Sequence, residues 1–116
     1  MPVADTELLF ALNPNDRKHK AALKAFTTNH LRVPDTAILE FQVVLRARGK
    51  KAGEVALAVQ ALKYILEGKR VEEAHIIDTY LIIRQAEIEE KYGLSYFDSL
   101  IAASSLKLDG ISSFRR

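Results

Sequence analysis

Apolar residues recur every three or four positions along most of the chain, interrupted by short extended stretches. Asp5 or Thr6 reads as the cap of a first helix carrying Leu8, Leu9 and Leu12, which ends at Asn13-Pro14-Asn15. Asp16 to Phe26 reads as a second helix, with Ala22, Leu23 and Phe26 inward and Arg17, Lys18, Lys20 and Lys24 outward. Further helices are predicted over Thr36–Arg48, Ala52–Leu66, Asp78–Tyr92 and Ser95–Leu108. Gly49, Gly68 and Gly93 serve as stop signals for the first three of these. The stripe of Val55, Val59, Leu62 and Leu66 is read as core or a helix–helix contact.

Between the helices lie four strand candidates: Pro2-Val3-Ala4, Leu31-Arg32-Val33 closed by Pro34, a segment within Val71–Ile77, and Gly110-Ile111-Ser112-Ser113. Short strands alternating with helices predict an α/β fold in which a parallel sheet is wrapped by helices. No repeat or linker divides the chain, so residues 1–116 are expected to form one domain. In such sheets, ligands gather at the carboxyl ends of the strands and the starts of the following helices.

Composition narrows the chemistry. At 48% hydrophobic residues the chain can bury a core, and 28% charged residues make an ordinary surface. The formal charge of +2 permits contact with a polyanion without demanding it. There is no cysteine, which excludes disulfides, thiolate metal sites and a cysteine nucleophile, and which fits a reducing compartment. Neither a secretory signal nor an apolar run of roughly 20 residues is visible, so a cytoplasmic protein without a membrane partner is expected.

Three carboxylates then stand out at or near the predicted functional edge. Asp5 directly follows the first strand candidate, where it serves either as a helix cap or as a ligand. Glu40 lies on a mostly apolar helix stripe with Ala37, Val43 and Val44, and a glutamate there needs a donor, a cation or a metal. Asp98 lies three residues after Ser95, which is capping-box spacing, and also in the first turn of a helix leaving the sheet. Carboxylates brought together repel unless a proton or a cation intervenes. An all-oxygen set suits Mg²⁺ or Mn²⁺, which activate water and stabilise charge on a phosphoryl oxygen.

These segments resemble the PIN-domain family of metal-dependent nucleases. Val3-Ala4-Asp5-Thr6 is similar to the family's first motif, and Val33-Pro34-Asp35-Thr36-Ala37-Ile38-Leu39-Glu40-Phe41 to the segment supplying its second acid. Tyr92-Gly93-Leu94-Ser95-Tyr96-Phe97-Asp98-Ser99-Leu100-Ile101-Ala102-Ala103 resembles the third motif. The resemblance implies a three-layer α/β/α sandwich with a short central parallel sheet. It also implies a Mg²⁺- or Mn²⁺-dependent endoribonuclease, most often the VapC-type toxin of a toxin–antitoxin pair. Asp5, Glu40 and Asp98 would then be the catalytic, metal-holding residues, RNA the substrate, and an antitoxin protein the partner.

Two positions depart from the family pattern. Glu7 stands where a small polar residue is usual, and either adds a carboxylate or faces solvent. A fourth acid commonly follows the last strand, but here Phe114 or Arg115 takes that place and Asp109 precedes it. The C-terminal end therefore reads as truncated and the activity as impaired, and a binding module that does not cut is the alternative. A response-regulator-like domain fits less well, since it needs an adjacent acidic pair and a late lysine-bearing strand.

Arg46, Arg48, Lys50 and Lys51 form the densest basic cluster, read either as RNA-phosphate contacts or as favourable charge at a helix C-terminus. His19, His30 and His75 share no ligand spacing and are read as surface or structural residues. The helices spanning 36–66 are candidates for a homodimer contact or an antitoxin groove.

Overall fold

A computed structural model describes residues 4–28 and 30–114, and only the backbone of residues 28 and 109–114. Its elements are α1 (Thr6–Phe10), α2 (His19–Thr28), β1 (Arg32–Pro34), α3 (Asp35–Ala47), α4 (Ala52–Gly68), β2 (Glu72–Ala74), α5 (Thr79–Tyr92) and α6 (Tyr96–Phe114). The predicted α/β class holds. β1 and β2 pair in parallel, with Arg32 opposite Glu72, Val33 opposite Glu73 and Pro34 opposite Ala74. The crossover between them consists of α3 and α4.

The first strand candidate falls largely outside the described residues, but Ala4 N–H donates to Arg32 O at 2.9 Å. The chain thus reaches Asp5 from the side of β1. The expected fourth strand is corrected: the backbone over Gly110–Ser113 is helical and belongs to α6. The sequence itself gives a reason, because Leu100, Ser104, Leu108 and Ile111 continue a helical period. One interior glycine costs a helix only about 1 kcal/mol relative to alanine.

Helical spacing of apolar residues builds two cores. Leu9, Ala22, Phe26, Val33, Ala37, Phe41, Leu45, Val55, Leu62 and Leu66 lie in the first, which joins α1 to α4 with β1. Ala74, Ile76, Leu81, Ile88, Leu100, Ala103 and Leu108 make the second, from β2, α5 and α6. The α4 stripe is core as read, with Val59 half-buried beside its three buried members. Leu66 is 1% exposed, and truncating such a leucine to alanine costs about 2–5 kcal/mol.

Polar side chains tie the helices together inside these cores. Thr36 and Ser104, both fully buried, join α3 to α6 through hydroxyls 2.7 Å apart. Because Ser104 donates its own proton to Leu100 O, Thr36 is the donor of that pair. Gln85 Nε2 donates to Ser99 Oγ at 2.9 Å, joining α5 to α6. Among the described residues, no helix is long and apolar enough to cross a membrane.

Two of the three glycine stops take the left-handed conformation that favours glycine: Gly49 at φ +90° and Gly93 at φ +66°. Gly68 does not. It remains the last helical residue of α4, and Arg70 two positions later adopts φ +56°.

Candidate functional site

The carboxyl edge of the sheet carries Asp5, Asp35 and the starts of α1 and α3. Asp5 caps α1, its Oδ1 accepting the Leu8 N–H at 2.9 Å, and it is exposed. The next residue, Thr6, is buried, and its hydroxyl donates to Glu40 Oε1. A half-buried glutamate on an apolar stripe needs a donor, and Thr6 supplies it. Thr6 was visible only as an alternative cap, because helical periodicity carries no information about a partner 34 residues away.

Asp98 occupies the first turn of α6 and is exposed. Ser95 Oγ accepts the Asp98 N–H at 3.1 Å, so half of the expected capping box is present. The Asp98 carboxylate makes no hydrogen bond or ion pair among the described residues, which leaves it available to a ligand. The Thr36–Ser104 bond fixes α6 against α3. Glu40 lies about 6 Å along α3 from Thr36, and Asp98 about 9 Å along α6 from Ser104.

Asp35, the first residue of α3, is a further acid at this edge, and nothing in its sequence pattern marks it. Its Oδ2 accepts two backbone N–H groups, from Ile76 at 3.0 Å and Ile77 at 3.2 Å. It thereby holds the chain leaving β2 against the start of α3. From the other side, Lys107 Nζ reaches Ile76 O at 2.9 Å and Asp78 Oδ2 at 2.6 Å. These contacts fix the third exit from the sheet.

The remaining candidates sort by their partners. Glu7 faces solvent and pairs with Lys18, so it adds nothing to the site in this arrangement. Arg48 caps α3 and lies over the Phe10 ring, 4.7 Å from its centroid, while Phe10 itself stacks at a tilt on Phe41. Arg46, Lys50 and Lys51 are exposed and their side chains form no ion pair among the described residues, while the Lys51 N–H donates to Glu54 Oε1 at 3.0 Å. This basic cluster begins about 9 Å along α3 from Glu40. Of the histidines, His19 contacts Ala11 O at 3.0 Å, whereas His30 and His75 are exposed. The side chains of Asp109 and Phe114, and all of Arg115, lie outside the described residues.

A hard divalent cation takes oxygen ligands, and Asp5, Glu40 and Asp98 offer only carboxylate oxygens. Glu40 fits best: Thr6 holds one oxygen, and a carboxylate has a second with which to accept. Among the described residues, however, no three acidic or histidine side chains lie close enough together to form a metal-binding group. The donor chemistry fits a cation, but the side chains do not form a closed cage for it.

Comparison with known proteins places this geometry. Among curated proteins, none matches the chain. Among solved structures, the chain is similar to VapC20 of Mycobacterium tuberculosis, described as a sarcin–ricin loop cleaving toxin, with 19% identity and a TM-score of 0.69. That match covers 95% of this chain and 84% of the other, and at this identity it speaks for the fold. The PIN domain model matches residues 3–112, a span that runs from the strand candidate before Asp5, through Glu40 and Asp98, and into the last turns of α6. With nearly the whole chain matched, the protein belongs to the PIN domain family.

Proposed function

We propose that the chain is a metal-dependent endoribonuclease, the toxin of a type II toxin–antitoxin pair, which hydrolyses RNA phosphodiester bonds in the cytoplasm. The observation that carries this reading is the Thr6–Glu40 contact at the carboxyl edge of the sheet in a PIN domain. The likeness of the fold to a toxin described as cleaving the sarcin–ricin loop supports the same class of activity.

In this reading Asp5, Glu40 and Asp98 hold Mg²⁺ or Mn²⁺, which would supply an activated water and stabilise the departing oxygen. The chain's own groups orient the site. Thr6 fixes the Glu40 carboxylate, the α1 cap positions Asp5, and Ser95 sets the first turn that carries Asp98. Arg46, Lys50 and Lys51 supply sequence-independent phosphate contacts, with Arg48 partly committed to Phe10.

An antitoxin and a second copy of the chain are the partners this reading calls for. An apolar cleft of about 300 Å³, lined by Phe10, Phe41, Leu45, Leu62 and Ile65, supports the first. Leu57 and Tyr64, 68% and 79% exposed on the outer face of α4, support the second.

The test is cleavage of single-stranded and structured RNA by purified protein in Mg²⁺ or Mn²⁺. Asp5→Asn and Asp98→Asn should abolish cleavage without unfolding the chain. Cleavage that continues unchanged in EDTA would sink the proposal. A second reading, a PIN domain that binds RNA or antitoxin without cutting, is favoured by the absence of an assembled three-acid group among the described residues. Calorimetric titration with Mn²⁺ separates the two, since no binding at millimolar metal favours the second.

A further inference from the structure

The amino edge of the sheet, opposite the acids, holds a second cleft of about 430 Å³. His30, Arg32, Lys69, Arg70 and Glu72 line it, together with Phe26. Glu72 is already paired with Arg32 across the ladder at 3.1 Å. Lys69 and Arg70 have no acidic partner among the described residues, and Arg32 Nε is buried without a hydrogen-bond partner. The cleft therefore combines two uncompensated cations and an imidazole.

The backbone at Arg70 adds an independent observation. Two helices in this chain end in the same motif. After α3, Gly49 N–H donates to Arg46 O and Lys50 N–H to Leu45 O. After α4, Arg70 N–H donates to Glu67 O and Val71 N–H to Leu66 O. The first motif puts glycine at its left-handed position, φ +90°; the second puts an arginine there, φ +56°. A side chain at that position is strained, and glycine relieves the strain. Favourable charge near the C-terminal end of α4 accounts for a cation in this turn, but not for placing it at the one position where glycine is preferred. A strained residue of this kind points to a function carried by its side chain.

We propose that this cleft binds a phosphate group, with Arg70 and Lys69 as its main contacts. Guanidinium groups match phosphate oxygens in geometry as well as in charge. The phosphate comes either from a free phosphate compound or from a nucleic-acid backbone. The site is separate from the carboxyl edge, so its occupancy does not depend on cleavage.

The test titrates the full chain in EDTA with inorganic pyrophosphate, and separately with an uncleavable 2′-O-methyl oligoribonucleotide, following amide shifts at Lys69 and Arg70. Binding by either probe supports the site, and the probe that binds identifies the source. Arg70→Gly should weaken that binding about tenfold. For the oligonucleotide, it should lower the salt dependence by roughly one counterion. The same variant should melt no lower than the parent, because the backbone strain is gone. Absence of binding by both probes, binding unchanged in Arg70→Gly, or a lowered melting temperature in that variant would overturn the proposal.

Discussion

The Thr6 hydroxyl donates its hydrogen bond to the carboxylate of Glu40, joining the first turn of α1 to the middle of α3. The donor is buried and the acceptor half-buried, so water competes weakly for either group. A hydrogen bond to a charged acceptor contributes about 1.5–3 kcal/mol. Thr6→Val keeps the shape and removes the donor. Ribonuclease turnover should fall about ten- to a hundredfold, since each 1.4 kcal/mol is tenfold in rate. Single-turnover cleavage of one RNA, with circular dichroism to confirm folding, checks this.

Asp35 holds two backbone donors with one oxygen. Asp35→Ala leaves both N–H groups without that acceptor, and the chain should lose about 2–4 kcal/mol by urea denaturation. Asp35→Asn keeps a carbonyl oxygen in the same place and should lose less. Equal losses in the two variants would show that charge, rather than acceptance, matters there.

Ser99→Ala strands one N–H of the buried Gln85 amide, whose other N–H goes to Glu89 at 2.6 Å. The expected cost is about 1–3 kcal/mol. Adding Gln85→Leu removes the stranded donor, so the double variant should be more stable than Ser99→Ala alone. Thermal melting of the four members of this cycle measures the coupling.

The Asp78 carboxylate lies below the ordinary aspartate range, chiefly because Lys107 bonds to it and then because the Leu81 N–H does. A lowered folded pKa means stability that is present above the unfolded value and lost as pH falls through the folded one. The contribution should therefore be intact at neutral pH and fade below about pH 4. Asp78→Asn removes the titrating group, so its melting temperature should fall less steeply than the parent's between pH 5 and pH 2. Parallel slopes would count against the Lys107 contact.

Much of this was legible in the chain. Helices α3 to α5 follow from their apolar spacing, and Gly49 and Gly93 end helices as read because their positions require positive φ. Gly68 misled, because the turn geometry fell on Arg70, and a strained residue has no signature in hydrophobic pattern. Gly110 misleads in the opposite sense: glycine there reads as a break, yet α6 runs through it. The acids were visible as residues in suspicious places. The groups that hold them, Thr6 for Glu40 and the Thr36–Ser104 pair for α6, were not, because such contacts join positions far apart in sequence.

The three-rung ladder of β1 and β2 also governs when this molecule comes into being. Arg32 and Glu72 meet across 40 residues of chain, and so short a ladder offers little to offset the entropy of closing that loop. The contacts within α3 and α4 are local and those of the ladder are not, so the helices are expected to form first and the sheet late. A chain emerging from synthesis therefore carries Asp5 and Glu40 before β2 is there to complete the edge, and Asp98 only after both strands.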